Sequence, residues 1–508
     1  MGLALAVLAL IVVSAVLLAQ RPGDVSNPDV EFDASAPTAP TPAPRPATDR
    51  KDPFDDGFAW PTYGLTKART NYLPLNRPLR PPFVERWRRT GSILLEFTPV
   101  LCGRALYLLK NNGALYKISR RTGRVLWKRK LGYLAAASPT CTGRTVYSVL
   151  LVRRKGVNAG RVVATRASDG GTRWARKLPS RSESSPLLDR GRLYFGTEDG
   201  TVYALRARDG AVRWTYKAAG AVKGALALWR GVLYFGDYAG QVTAIRQRDG
   251  SRVWRAGTRG GRLGLSSGNF YATPAVAYGR VFIGNTDGFV YSFGAKTGRL
   301  AWRHKTGGYV YSSPAVSDAR GGTVYVGSHD GHLYAFDART GKVRWKHKAG
   351  GRISGGPTVV GDVVFYSNLG RKSTVALGAV TGRRLWGIRR GAFHPVISDG
   401  TRIYLNGYSS LYMFTERGVH TDGTLTKAER RRRAGEARRA QERRRLRAIA
   451  RRVAARRAYV RRTLQRIRRG ERICFRSGGR RVCRLPRPPV CIKGKDGRPT
   501  VCRPRGTG

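Results

Sequence analysis

The chain has 508 residues, with 95 Lys and Arg against 31 Asp and Glu, a formal net charge of +64. That length excludes a peptide-sized module, and 63 glycines beside 41% apolar residues exclude a mainly helical body, because they call for many tight turns around a large core. The charge is uneven: residues 427–508 hold 31 basic and 5 acidic side chains, which marks the C-terminal stretch as a separate physical object.

Residues 3–19 carry no charge and would make about 25 Å of helix at 1.5 Å per residue, near the lower limit of a membrane span. Residues 1–20 therefore read as a transmembrane anchor or signal peptide, although no Lys or Arg precedes the apolar run. Residues 21–57 are dominated by Pro, Ala, Thr and Asp, most densely in 36–46. They offer too little apolar area to bury, so a semi-extended tether is expected.

An internal period follows. Trp87, Trp127, Trp174, Trp214, Trp254, Trp302, Trp345 and Trp386 recur at intervals of 40 to 48 residues. Seven of them stand four residues after a turn glycine: Gly123, Gly170, Gly210, Gly250, Gly298, Gly341 and Gly382. Within most periods a Ser-Pro or Thr-Pro comes first, then an alternating strand, an Asp-Gly turn such as Asp199-Gly200, a further strand, the glycine turn and the Trp strand. Both turns have hairpin chemistry, and four antiparallel strands per period make one propeller blade. After Trp386 the chain supplies three strands, near 393–397, 402–405 and 410–414, and no fourth. The segment 83–87 at the start is free to complete that blade. Residues 58–418 are thus expected to be an all-β, eight-bladed propeller closed by an N-terminal strand, with the eight Trp packed between blades as structural residues.

The innermost strand of a blade faces the central channel. The position three residues before its Pro should lie at the strand's start, which selects Glu96, Glu183, Tyr271 and Tyr311, and Lys223 in the blade where Leu226 replaces the Pro, with Ser354 and two alanines in the remaining blades and His394 just before Pro395. Two acids in so basic a chain leave two readings open: a cation or amine held in the channel, or a solvated rim in which each Glu pairs with Lys or Arg. No metal-ligand spacing and no catalytic constellation is present, so no metal site or catalytic residue is expected.

With these residues in hand, the chain resembles the quinoprotein-type, PQQ-like β-propeller repeat, in which a Gly-x-x-x-Trp ending docks adjacent blades. The resemblance covers about residues 60–415. Trp60-Pro61-Thr62-Tyr63-Gly64 and Arg69-Thr70-Asn71-Tyr72 are similar to the segment that leads into the ring in quinoprotein dehydrogenases. The resemblance implies either an enzyme using pyrroloquinoline quinone and calcium or a cofactor-free scaffold like the outer-membrane assembly lipoproteins. Quinoprotein alcohol dehydrogenases carry adjacent cysteines, and no two of the six here are adjacent, which favours the scaffold with no cofactor.

Thr426-x-x-Glu429 has the capping-box pattern and Gly470 is a suitable stop, so one basic helix is expected within residues 419–470. Leu446, Ala450, Val453, Val460, Leu464 and Ile467 form an apolar seam on it. The seam could dock on the ring or on a second copy, or the arginines could bind anionic lipid or an acidic envelope polymer; nucleic acid is disfavoured by the cysteines that follow. Cys474, Cys483, Cys491 and Cys502 in the tail 471–508 lack zinc spacing. The simplest of three connectivities joins Cys474 to Cys483 and Cys491 to Cys502, each around a small hairpin in an oxidising compartment. Whether Cys102 and Cys141 pair is left open by their one-residue offset in neighbouring blades. The expected protein is a membrane-anchored or secreted extracytoplasmic scaffold that meets a protein partner through its propeller loops; the alternative is a quinoprotein oxidoreductase or quinone sensor.

Overall fold

A computed structural model describes residues 23–34, 54, 57–152, 158–258 and 268–469, together with strands Ile473–Ser477, Arg480–Arg484, Val490–Ile492 and Val501–Arg503. The alternating apolar runs become eight four-stranded antiparallel blades, seven of them built from consecutive strands, and the first strands of successive blades lie against one another around the axis. Blade 1 comprises Val100–Cys102, Ala105–Leu109, Ala114–Ser119 and Val125–Lys130; blade 3, Leu187–Asp189, Arg192–Gly196, Thr201–Arg206 and Val212–Lys217. Blade 8 is built from Val396–Ser398, Arg402–Asn406 and Leu411–Glu416, and its outer strand is Phe83–Arg89, which pairs antiparallel with Leu411–Glu416. The N-terminal strand therefore closes the ring, and eight is the number of blades.

Each blade carries a β-bulge between its third and outer strands, one residue from the register position of its Trp, for example at Ala204/Leu205 beside the Ala204–Trp214 pair. The bulge increases local twist and turns the indole toward the next blade. Seven indoles donate to a backbone carbonyl there: Trp87 to Arg120, Trp127 to Ala167, Trp174 to Ala207, Trp214 to Gln247, Trp254 to Ala295, Trp302 to Ala338 and Trp345 to Ala379, at 2.8 to 3.3 Å. The turn glycine of that next blade lies flat on the same ring. A methyl group on Gly250, whose φ is +76°, would stand 2.8 Å from Trp214 Cε3. Trp386 instead packs edge-on against Phe83 and Phe414, with ring centroids 5.3 and 5.6 Å away. The apolar core is divided among the blade interfaces, as in the cluster of Tyr194, Val202, Leu233 and Phe235 between blades 3 and 4.

Closure has its own polar fastening. Asp399 of blade 8 accepts from Arg120 of blade 1 at 2.6 Å and from Arg402 at 2.9 Å, with the Tyr404 hydroxyl at 3.2 Å, all fully buried. Burial works to raise the Asp399 carboxyl, and the Arg402 and Arg120 charges outweigh it and hold the group far below the usual carboxylate range. On the incoming chain, Arg77 binds Glu416 with both contacts under 3 Å. A disulfide joins Cys102 to Cys141 across the first strands of blades 1 and 2, with Cα atoms 6.3 Å apart.

Two N-terminal segments add to the ring. Residues 59–73 run along the axial side of the first strands of blades 1 to 7. Ala59–Trp60 pairs with Leu101–Cys102; the Pro61 carbonyl accepts from Cys141 N–H; Thr62 donates to Pro186; the carbonyls of Lys67, Ala68, Thr70 and Asn71 accept from Leu228, Val276, Val316 and Val359; Tyr72–Leu73 pairs in parallel with Val359–Val360. This belt contains both motifs singled out in the sequence. Its Arg69 is buried, and the guanidinium donates to Thr62 Oγ1 and to the carbonyls of Tyr63, Ser185, Pro186 and Leu226. Part of the stretch expected to be a tether is also docked. Val25–Ser26 adds an outer strand to the blade of Leu300–Lys305, Val30 is buried, and Phe32 stacks on Tyr278 at 5.3 Å. Composition concealed this because two apolar side chains suffice when an exposed sheet edge supplies the backbone partners. The apolar run 3–19 lies outside the described residues; among these, no helix is long and apolar enough to cross a membrane.

A second unit holds the basic helix Lys427–Arg468. Thr426 Oγ1 accepts from the Glu429 N–H at 3.3 Å, whereas the Glu429 carboxylate turns to Arg432 and Arg433, so half of the expected capping box forms. Leu446, Val453 and Val460 are exposed. In the tail the strand registers set Cys474 opposite Cys483 and Cys491 opposite Cys502.

Gly231 and Gly250 separate the two demands on a turn glycine, since both have positive φ and only Gly250 touches an indole. Gly231→Ala is expected to cost about 1 kcal/mol and Gly250→Ala about 2 to 4 kcal/mol, from backbone strain alone and from strain plus overpacking. Denaturant unfolding of the two variants measures the difference, which should vanish if the indole does not set the blade spacing.

Candidate functional site

The segments that lead into the first strands turn their side chains to the axis, where they line a cavity of about 340 Å³. Glu96, Glu183, Lys223, Tyr271, Tyr311 and His394 all face it, as does Ser354, while Ala136 and Ala392 do not. Counting back from the blade prolines thus brings the polar candidates together around one space. Tyr63 of the belt lines it too, its hydroxyl 3.4 Å from His394 Nδ1, so the belt forms one wall.

A second family of side chains reaches the same face from the turns between second and third strands: Glu198, Tyr238 and His329. Each turn is tied to the neighbouring axial segment by backbone hydrogen bonds, Glu198 N–H to Arg181, Tyr238 N–H to Ala221 and His329 N–H to Tyr309. Sequence reasoning missed these. The available signal was their place at the first position of the turn, immediately before Asp199, Ala239 and Asp330.

The charged groups are largely wired together. Lys223 Nζ lies 3.0 Å from Glu183 and 3.1 Å from Glu198, its ammonium 5.5 Å from the Tyr238 ring centroid. Burial works to lower the Lys223 ammonium, and the Glu183 charge and the carboxylate hydrogen bonds outweigh it and raise the group. Tyr271 donates to Glu183 at 3.2 Å, and burial together with the Glu183 and Glu96 charges pushes its hydroxyl well above the usual tyrosine range. Glu96 accepts only from the Asn111 amide, at 3.1 Å, among the described residues; burial raises its carboxyl, and Glu183 adds to the rise. Aromatic rings complete the wall, with Tyr311 5.6 Å from Tyr271 and 4.9 Å from His329. His329 Nε2 is 2.8 Å from Ser354 Oγ, but no carboxylate among the described residues orients the other ring nitrogen, so no nucleophilic triad is assembled.

An eight-bladed ring of four-stranded sheets, closed by an N-terminal strand and docked through Gly-x-x-x-Trp turns, defines the class. The chain belongs to the propeller family described as outer membrane protein assembly factor BamB, whose sequence profile matches residues 111–287, 239–320 and 286–487. No curated protein matches it. Among solved structures it is similar to BamB from Moraxella catarrhalis, at 17% identity over 67% of this chain and 99% of that one, TM-score 0.54. It is similar also to the quinohemoprotein alcohol dehydrogenase of Comamonas testosteroni, at 15% identity over 72% and 81% with TM-score 0.57, and to a europium-containing methanol dehydrogenase, at 13% over 72% and 98% with TM-score 0.60. These likenesses establish the fold.

The described residues lining the axial cavity offer no unpaired Lys or Arg to the quinone cofactor that the family resemblance implies. Pyrroloquinoline quinone is a tricarboxylate, whereas the cavity presents Glu96 and Glu183, and its lining cation Lys223 already serves two carboxylates. Among the described residues no group of three His, Cys, Asp or Glu is placed to hold a metal ion.

His394 offers a measurable handle. Its ring is 8% exposed, Nδ1 accepts from the Gly356 N–H at 3.1 Å, and burial pushes its pKa down to about 4. A depressed histidine stays neutral in the fold while the unfolded chain takes up a proton below about pH 6.5, so its stability contribution is whole above that pH and falls as pH drops toward 4. Lowering the pH from 7 to 5 is expected to cost about 2 kcal/mol through this group. Urea unfolding of wild type and His394→Gln at both pH values should show that loss shrinking in the variant; an equal loss in both would place the proton elsewhere.

Proposed function

We propose that the protein is a membrane-tethered, extracytoplasmic, non-catalytic scaffold, whose ring presents its loops rigidly to a protein partner and whose basic helix contacts an anionic envelope surface. One observation carries the non-catalytic reading: the axial cavity is lined by Glu96 and Glu183, and its lining ammonium, Lys223, is already paired with two carboxylates. The family description as an assembly factor supports a protein partner, and the Cys102–Cys141 disulfide supports an oxidising compartment. Residues 3–19 would supply the tether. The helix carries Glu429, Glu436 and Glu442 against a long run of arginines, which suits phosphate-bearing surfaces.

Mixing the purified full chain with pyrroloquinoline quinone and calcium, followed by gel filtration, is expected to leave no quinone absorbance with the protein. A stoichiometric bound chromophore would overturn the scaffold in favour of a quinoprotein.

The envelope contact is tested by cosedimentation with phosphatidylglycerol vesicles, comparing the full chain with one lacking residues 419–508. Deletion is expected to weaken binding at low salt by about tenfold or more, and high salt to erase the difference, because exposed charges are screened beyond about 10 Å at 0.1 M. Equal binding by both chains would remove the helix from the proposal.

A further inference from the structure

A second cavity, of about 280 Å³, lies at the seam where the ring closes, between the 89–95 segment that leaves the outer strand of blade 8, the second to outer strands of blade 1, and Ser409 and Leu411 of blade 8. Its charged lining is Arg89, Lys110 and Lys128, and none of its fourteen lining residues is acidic. Arg89 and Lys128 are exposed, but Lys110 is 7% exposed and no ion pair or side-chain hydrogen bond holds its ammonium among the described residues. The ammonium lies 4.9 Å from the Tyr116 ring centroid and that of Lys128 5.5 Å from the same ring. Burial, with Arg89 and Lys128 nearby, lowers the Lys110 pKa.

The repeat itself shows that the fold does not need this lysine. The Lys110 N–H closes the turn onto Ala114, and the residues making the same bond in blades 3 to 6 are Thr197, Asp237, Asn285 and Ser328. Those side chains are small and polar and bond within their own turns, as Asp237 does to the amides of Ala239 and Gln241. In blade 1 that task falls to Asn112, whose side-chain oxygen accepts from Ala114. Lys110 is therefore a departure from the repeat in which a cation is buried without its own counter-charge, an arrangement that costs stability until an anion arrives.

We propose that this seam cavity binds a phosphate monoester, gripped by Lys110, Lys128 and Arg89, with the Ser92 hydroxyl as a further donor and the remaining volume taken by the ester's small organic group. Three cations around hydroxyl and amide donors match the charge and hydrogen-bonding capacity of a phosphate dianion. The ester could come free in solution or as a lipid headgroup.

The test uses the full chain at constant ionic strength set with chloride. Thermal unfolding and calorimetric titration are followed with inorganic phosphate, glycerol 3-phosphate and phosphatidic acid vesicles; a response to vesicles alone that Lys110→Met abolishes would assign the ester to a headgroup, whereas one that persists in the variant belongs to the basic helix and would overturn the seam site. Lys110→Met is expected to raise the unfolding temperature in phosphate-free buffer, to abolish the further rise on adding phosphate, and to weaken glycerol 3-phosphate binding by about tenfold or more. A lower unfolding temperature without phosphate, or failure to fold, would make the lysine structural and overturn the proposal. So would an undiminished phosphate effect, which would belong to the basic helix. Lys128→Met, at an exposed side chain, should weaken the same binding severalfold with the phosphate-free unfolding temperature unchanged; unchanged affinity would equally overturn it.

Discussion

The stacking of one blade's indole on the next blade's turn glycine is the contact from which the rest of the architecture follows. The glycine and tryptophan of each Gly-x-x-x-Trp run belong to one blade but do not serve each other. Gly250 touches Trp214, Gly298 touches Trp254, and Gly341 touches Trp302. Each close approach, with the indole N–H bonded to a carbonyl three residues before that glycine, sets the same offset between neighbours. Repetition of one offset closes the ring at eight. Blade 8 has no covalent turn between its third and outer strands, so the Trp386 contact must differ there, and Phe83 and Phe414 fill the place of the glycine. The other half of the join is regular: Trp87, on the strand that arrives from the N-terminus, stacks on Gly123 like any other.

A ring closed in this way leaves the axial edges of its first strands unpaired, and the belt 59–73 answers them. Its carbonyls accept from blades 2, 4, 5, 6 and 7, so the circle is tied from inside as well as between blades. Arg69 anchors the crossing with neutral acceptors alone. Burial lowers its pKa to about 9, which still leaves the guanidinium charged at neutral pH, where a hydroxyl and four carbonyls share its protons. The belt then gives the axial cavity a wall and holds Tyr63 against His394. The same short segment is thus a closure device and part of the site.

What could be read in advance was whatever recurred. The Trp and Gly intervals carried the blade number and the closing strand, and the blade prolines, with Leu226 in the place of one, led to Glu96, Glu183, Lys223, Tyr271 and Tyr311 around one cavity, because the repeats enter their first strands in the same way. The strand expected near 393–397 begins at Val396, since Pro395 has no N–H to donate to a ladder. The axial contributions of Glu198, Tyr238 and His329 were also periodic, one hairpin further on, but required knowing that the turn folds back to the axial face. Residues 23–34 and the belt have no period at all. Their conformations come from edges that exist only once the ring is built, as Val25–Ser26 on the outer edge of Leu300–Lys305 shows. Lys110 is the converse case, legible only as an exception after the repeat has been aligned residue by residue.

Two cavities of opposite sign in one basic chain follow from the geometry of a single turn. Lys110 and Asn111 are consecutive residues leaving the second strand of blade 1, where neighbouring side chains project to opposite faces. Asn111 reaches the axis and holds Glu96, while Lys110 enters the seam beside Tyr116. In blades 3 to 6 the corresponding positions hold Thr197, Asp237, Asn285 and Ser328, short polar side chains that hydrogen-bond within the turn. At the seam the adjoining blade is completed by a separate piece of chain, and the 89–95 segment that must run on from it into blade 1 walls off a space with Ser409 and Leu411 on its far side. The seam is the one interface of the ring where such a connection passes from an N-terminal outer strand into the first blade, so the cost of closing the circle non-covalently is also what creates room there for a buried cation.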